Sequence, residues 1–322
     1  MKMAHEVESL LYVGETPWHG LGTRFIEAPT LDEAIVAAGL DWKVTTEPVL
    51  SQAGEILPAL ATRRSSDGRI LGVVGPSYTP LQNLDAFKFF HPFIEMNEAQ
   101  IETAGSLRMG QRVFILAKLK LDPMEIVKGD AVQKYVLLSN SHDGTLAVRV
   151  GFTPIRVVCA NTMALAINSK ASQLIRVRHT KNVVQNLEDI REIMNLANAE
   201  FEATAEQYRL LAAKDINQAD LEKYVKLVFN TNKKILEAEG NVANLNNKRI
   251  LNSVQPLFEK GRGNDLPQVR GTLWAAYNAV TEYLQYERGE DKQVRLDQMW
   301  FGQSAQLNKR ALDVGVMMAA AA

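Results

Sequence analysis

The sequence predicts an α+β fold, with an antiparallel β-meander and helices in the N-terminal half and an all-helical C-terminal half. Three observations predict it. Arg112 to Leu121 alternates strictly: Val113, Ile115, Ala117, Leu119 and Leu121 share one face, and Arg112, Phe114, Leu116, Lys118 and Lys120 the other. Further β-rich runs follow at short spacing, and short connections favour antiparallel pairing, because a parallel crossover needs about a dozen residues or more. Beyond residue 181 the strand signals stop, and apolar residues recur at helical spacing to the end of the chain.

Taken in order, Pro17-Trp18-His19-Gly20-Leu21-Gly22 is a compact turn-rich segment. A helix follows, with Thr30 as N-cap and Glu33 three residues later completing a capping box. Leu31, Ala34, Ile35 and Ala38 form its apolar stripe, and Gly39 its stop. Leu57 to Thr62 and Arg69 to Val74 read as strands around the turn Ser65-Ser66-Asp67-Gly68. A helix begins near Asn83 and runs through Phe87, Phe90 and Ile94. After the alternating strand come Lys134 to Ser139, the turn Asn140-Ser141-His142-Asp143-Gly144, then Thr145 to Val150, and a fourth short run from Ile155 to Cys159. Asn161 reads as the N-cap of a helix over Thr162 to Ile167. In the C-terminal half, Val184, Leu187, Ile190, Met194, Ala197, Phe201, Tyr208 and Leu211 form one stripe. Further helices are predicted at 218–238, 242–259, 270–287 and 304–318, and Gly261-Arg262-Gly263-Asn264-Asp265 is a loop. The domains expected are an α+β core over 1–180 and a helical domain over 181–322.

Composition excludes several classes. The chain has 322 residues, 46% of them hydrophobic and 23% charged, with a net charge of −1, so it is not a uniformly basic nucleic-acid binder. Its single cysteine, Cys159, allows neither an intramolecular disulfide nor a cysteine-based zinc site, which fits a reducing cytoplasm. The N-terminus lacks the apolar stretch of a secretory signal, and no run approaches the roughly 18 apolar residues of a membrane span.

Neutrality hides a local asymmetry. No acidic residue lies between Asp143 and Glu188, while Arg149, Arg156, Lys170, Arg176, Arg178 and Lys181 fall in that interval. Upstream, Arg108, Arg112, Lys118 and Lys120 lie on or beside the alternating strand. Lysine and arginine suit phosphate because they neutralise it and release condensed counterions. Single-strand binding also wants stacking platforms, for which Phe114, Tyr135 and Tyr78 are the candidates. The bland reading is a solvated sheet face whose cations are paired with acids from the helical half.

Catalytic constellations are thin. No Gly-x4-Gly-Lys-Ser/Thr loop is present, and Gly261-Arg262-Gly263 lacks the third glycine and the preceding strand of a dinucleotide fingerprint. The five histidines, His5, His19, His91, His142 and His179, show no metal spacing. His142-Asp143 is the tempting acid–base pair, but Asp-Gly in a hairpin is ordinary turn chemistry. Cys159, in an apolar run, reads as a buried structural thiol. Arg156 is a lone charge in an apolar strand and needs either solvent or a partner.

Several motifs together resemble a known family. They are Pro17-Trp18-His19-Gly20-Leu21-Gly22, Tyr78-Thr79-Pro80-Leu81-Gln82-Asn83, Asn140 to Gly144, Arg156-Val157-Val158-Cys159-Ala160-Asn161-Thr162 and Trp274 to Tyr283, with Trp300-Phe301-Gly302-Gln303-Ser304-Ala305 in addition. They look like the phage/plasmid-like protein family, the domain-of-unknown-function family numbered nine hundred thirty-two. The resemblance implies a cytoplasmic protein of a mobile element and supplies no catalytic residues. The strand-strand-strand-helix order is also similar, at the level of topology alone, to single-strand annealing recombinases, which act without ATP.

The function expected is therefore single-stranded DNA binding of an ATP-independent recombination or annealing type, in a self-associating protein with no cofactor, no metal and no membrane partner. Arg112, Lys118, Lys120, Arg149 and Arg156 are expected to line a groove, with Lys170, Arg176 and Arg178 adding to it. Two alternatives stand beside this: a phage-encoded interaction protein that binds a host or defence component through an apolar patch on the helical half, and an enzyme with a site around His19, His142, Asp143 and Arg156.

Overall fold

The computed structural model describes residues 7–14, 22–156, 161–162, 175–179, 182, 197–229, 245–289 and 295–321. The fold is α+β as expected, with strands in the N-terminal half and helices mostly in the C-terminal half. The chain gathers into two compact units, but not by one cut near residue 180. Unit 1 holds 1–121, 135–152 and 173–197, and unit 2 holds 122–134, 153–172 and 198–322.

In unit 1, β1 (Val7–Val13) and β2 (Thr23–Phe25) form a short parallel pair. Next comes α1 (Leu31–Ala37), with the predicted capping box: Thr30 Oγ1 accepts from the Glu33 amide at 3.3 Å, and Glu33 Oε2 accepts from the Thr30 amide at 2.9 Å. Strands β3 (Val44–Leu50), β4 (Ile56–Arg64) and β5 (Ile70–Val74) make a separate three-stranded antiparallel sheet. The helix expected through Ile94 is two short ones, α2 (Asn83–Lys88) and α3 (His91–Glu95), with Pro92 in the first turn of the second. Then come β6 (Ala99–Leu107) and β7 (Arg112–Leu119), followed by β8 (Met124–Val127), which is counted in unit 2, and by β9 (Asp130–Ser141) and β10 (Val148–Arg156), each with residues counted in both units. Strand order in the larger sheet is β10-β9-β7-β6-β1-β2. β7 is antiparallel to both neighbours and buried on both faces: Val113, Phe114, Ile115, Leu116 and Ala117 are at most 4% exposed. The face that bears Arg112, Phe114, Leu116, Lys118 and Lys120 is thus apolar and covered along the middle, and carries charge only towards its ends.

The two strands expected over 145–150 and 155–159 are one strand, β10, as far as Arg156. It pairs with β12 (Ile175–Val177) over Val148–Val150, and with β11 (Asn161–Thr162) at Ile155 and Arg156. Pro154 falls between these two short ladders, a position that suits a residue with no N–H to donate. Asn161, expected as a helix cap, instead pairs across the ladder with Arg156. Cys159, His5, His19, Lys170, Lys181 and the stripe residues from Val184 to Met194 lie outside the described residues.

In unit 2 the helices are α4 (Ala197–Ala212), α5 (Gln218–Phe229), α6 (Leu245–Lys260), α7 (Leu273–Glu282), α8 (Arg295–Phe301) and α9 (Gln303–Ala320). Every residue of α7 is buried, so it is the axis around which α5, α6 and α9 pack. Tyr208, Trp274 and Tyr277 form an aromatic cluster on it, with ring centroids 4.9 to 6.0 Å apart. Among the described residues, no helix is long and apolar enough to cross a membrane.

Candidate functional site

The cations gather at one end of the larger sheet of unit 1. The turn from β6 to β7 runs through Arg108, Met109 and Gly110 with φ of +53°, +57° and +83°. Only the glycine is at ease there, and each non-glycine residue costs about 1 kcal/mol. The turn opens into Arg112, which lies opposite Ser141 at the end of β9. The His142 amide extends that ladder by donating to the Gln111 carbonyl at 2.8 Å. The chain then turns through 142–147 into β10, where Arg149 lies opposite Arg176 of β12, and Arg178 is exposed just beyond. Arg112 Nη2 reaches back to Thr145 Oγ1 at 3.5 Å. Arg108, Arg112, Arg149, Arg176 and Arg178 therefore share one end of one sheet.

Among the described residues, the acid in the turn between β9 and β10 is Asp143. Asp143 accepts from the Thr145 amide and hydroxyl at 2.9 and 2.6 Å. Glu8 and Asp67 are committed to Arg64, Glu8 through two bonds of 2.6 and 2.8 Å and Asp67 through bonds of 2.9 and 2.6 Å. Beside Arg64 the Asp67 carboxyl is held far below the usual carboxylate range.

Beneath this end lies a buried polar cluster. His142 is fully buried, donates from Nε2 to Asn83 Oδ1 at 2.9 Å, and meets the edge of Trp42 at 5.3 Å between centroids. Asn83 is itself oriented by donating to the Leu40 carbonyl at 3.0 Å. Thr62 donates its hydroxyl to the His142 carbonyl at 2.7 Å. Desolvation, aided by the proximity of His179, pushes the His142 pKa down to about 3, so its ring is neutral. Asp143, next in sequence, raises it only weakly. Its carboxylate turns to Thr145 instead, so the pair forms no catalytic dyad. Tyr78 stacks on His179 with centroids 4.6 Å apart and donates its hydroxyl to the Ser141 carbonyl at 2.8 Å. Gly72 is obligatory here, because a Cβ would stand 2.5 Å from Asp143 Cα.

The expected groove is corrected in three respects. Lys118 is six residues from Arg112 along β7, about 20 Å, and half-buried beside Glu102, whose carboxyl burial raises and Lys118 lowers. Lys120 is exposed and donates to Asn97 Oδ1. Both stand at the opposite end of the strand from Arg112. Phe114 and Tyr135, at 1% and 7% exposure, are core residues with no face free to stack on a base.

The third correction is Arg156. It belongs to unit 2, where it and Asp130 are both 0% exposed. Its Nε donates to Asp130 Oδ1 at 2.8 Å, Nη2 to Asp130 Oδ2 at 2.5 Å and to the Gly263 carbonyl at 3.0 Å, and Nη1 to the Arg262 carbonyl at 3.0 Å and Asn264 Oδ1 at 3.2 Å. Trp274 donates Nε1 to Asp130 Oδ2 at 2.8 Å, and its ring lies 5.6 Å from the guanidinium carbon. All five guanidinium donors are used within the protein, so none is left for phosphate. Arg156 pins the β8–β9 hairpin and the end of β10 to the 261–264 loop and α7. The sequence marked it as a charge needing a partner; Asp130 carried no signal of its own, and Asn264 and Trp274 stood in a predicted loop and a family motif with nothing to tie them to Arg156.

The family model described as Domain of unknown function (DUF932) matches residues 70–312. The chain belongs to that family. The match takes in both centres, from Tyr78 and His142 in unit 1 to Arg156 and Trp274 in unit 2. No curated protein matches this DUF932 chain, and no solved structure matches it.

Proposed function

We propose that this DUF932 protein binds single-stranded DNA through the arginine-bearing end of the unit 1 sheet, in an ATP-independent recombination or annealing process of a phage or plasmid. The observation that carries the reading is the opposed register of Arg149 and Arg176, with Arg178 exposed beside them and Arg112 on the same sheet end. Arginine suits this role because its planar fork takes phosphate oxygens in pairs. Lys118, Lys120 and Arg156 are not part of the proposed surface.

Fluorescence anisotropy of the full chain with a labelled single-stranded oligonucleotide tests it. For four phosphate contacts, log K falls against log salt with a slope of about −3, at about −0.7 per contact. Arg178→Glu is expected to weaken binding and to make the slope shallower by about one contact, whereas Lys120→Glu changes it little. No binding at low salt rejects the reading.

A second reading, an interaction protein, has one observation in its favour. Leu50, Ile56, Leu57, Ile70 and Val73 are 40–74% exposed on the three-stranded sheet, and Leu50 lies opposite Ile56. Among the described residues, the apolar exposure expected on the helical half amounts to Leu210 and Met317, so the surface for a host or defence component would be this sheet. Pull-down with the full chain and with Ile56→Lys tests it, the variant losing a genuine partner.

A further inference from the structure

The arginines account for attraction to phosphate but not for a preference for unpaired strands, since duplexes carry phosphates too. A single strand differs in having base faces free to stack. Of the three aromatic residues singled out in the sequence, Tyr78 alone reaches the surface: it is half-buried, whereas Phe114 and Tyr135 are in the core. Its position follows from two tethers. The Tyr78 hydroxyl donates to the Ser141 carbonyl at 2.8 Å, and Ser141 is the residue opposite Arg112. The ring stacks on His179 at 4.6 Å and 25°, and His179 directly follows the exposed Arg178. The Thr79 amide donating to the His179 carbonyl at 3.1 Å closes the same contact through the backbone. Tyr78 is thus tied at its hydroxyl to the residue opposite Arg112 and at its ring to the residue after Arg178, a buried imidazole.

We propose that Tyr78 is the stacking platform for one unpaired base, with Arg112 and Arg178 holding the flanking phosphates. This rests on the nucleic-acid reading above and adds the feature that makes the site choose single strands. The His179 ring under Tyr78 keeps the platform from rotating, so little conformational freedom is lost on binding.

The test compares three probes of equal phosphate number on the full chain: a single-stranded oligonucleotide, its duplex, and an abasic deoxyribose-phosphate strand. The base-bearing single strand is expected to bind at least about five-fold tighter than the abasic strand, the low end of what one stacked base contributes. Tyr78→Leu brings the two to the same affinity. Tyr78→Phe keeps the ring while losing the hydroxyl bond, and retains the difference, which separates stacking from a merely structural role. Equal binding of base-bearing and abasic strands by the unaltered protein overturns the platform and leaves the arginine surface standing. Failure of all three probes to bind at low salt overturns both.

Discussion

Replacing Arg156 by alanine is expected to destabilise unit 2 by about 3–5 kcal/mol, the cost of breaking a buried ion pair from one side. The penalty comes from what remains. Asp130 would be left fully buried without its guanidinium partner, with the Trp274 indole as its remaining side-chain donor among the described residues, and Asn264 Oδ1 and the carbonyls of Arg262 and Gly263 would lose the guanidinium as donor. Arg156→Lys retains the charge but not the fork, and cannot reach Asp130, Asn264 and two carbonyls at once, so it too is expected to be strongly destabilised. Replacing both partners, as in Arg156→Met with Asp130→Leu, is expected to recover much of the loss, because no lone charge is left inside. Denaturant unfolding followed by tryptophan fluorescence measures all three, Trp274 lying against the guanidinium. A loss below about 1 kcal/mol for the alanine variant, a surface-like value, would show that Arg156 is solvated and would return it to the list of phosphate contacts.

Arg156 also marks the limit of what was legible. One sequence can show a charge stranded among Val150, Ile155 and Val157, and physics then demands solvent or a partner. It cannot say which of the chain's 37 acids answers, and Asp130 sits beside Gly129 in what reads as a polar turn. The β7 strand shows the same limit. Its alternation is real and its register follows it, but alternation does not reveal that Phe114 and Leu116 are covered, and so cannot separate a solvated basic face from a core face with charged ends. β6 was silent for another reason. A Cβ on Gly105 would lie 2.3 Å from the Ser9 carbonyl, so close approach of β1 selects small residues and removes the bulky β-formers that announce a strand. Where local chemistry alone decides, as in the Thr30–Glu33 capping box, expectation and structure coincide. The arginine end lay in between: the acid-free interval was visible, but the opposition of Arg149 and Arg176 depends on a strand pairing that no local pattern encodes.

Acid is expected to destabilise unit 1 well above the range where carboxylates titrate. His142 is neutral in the folded protein with its pKa lowered to about 3, against about 6.5 in an unfolded chain. The unfolded state therefore binds the extra proton, and stability rises with pH across that window. It is fully present above pH 6.5 and is lost as pH falls towards 3, at about 1.4 kcal/mol per pH unit, which gives roughly 2 kcal/mol between pH 6.5 and 5. His179, also lowered by burial, acts in the same direction as pH falls below 6.5. Asp67, held down by Arg64, contributes at lower pH, and Glu102, raised by burial, acts in the opposite sense, so a variant at His142 is needed to assign the slope between pH 6.5 and 5. Urea unfolding at pH 7 and pH 5, read through Trp42 at the edge of the His142 ring, measures the slope. His142→Asn is expected to be less stable at pH 7, because Asn83 and Trp42 are arranged around an imidazole, yet flatter in its pH dependence. A variant that keeps the full slope would mean that the ring takes up its proton in place, with Asn83 and the Tyr78–His179 stack parting to admit water. The surface proposed for nucleic acid would then loosen under the same mild acid that the neutral, buried ring otherwise leaves without effect on the folded chain.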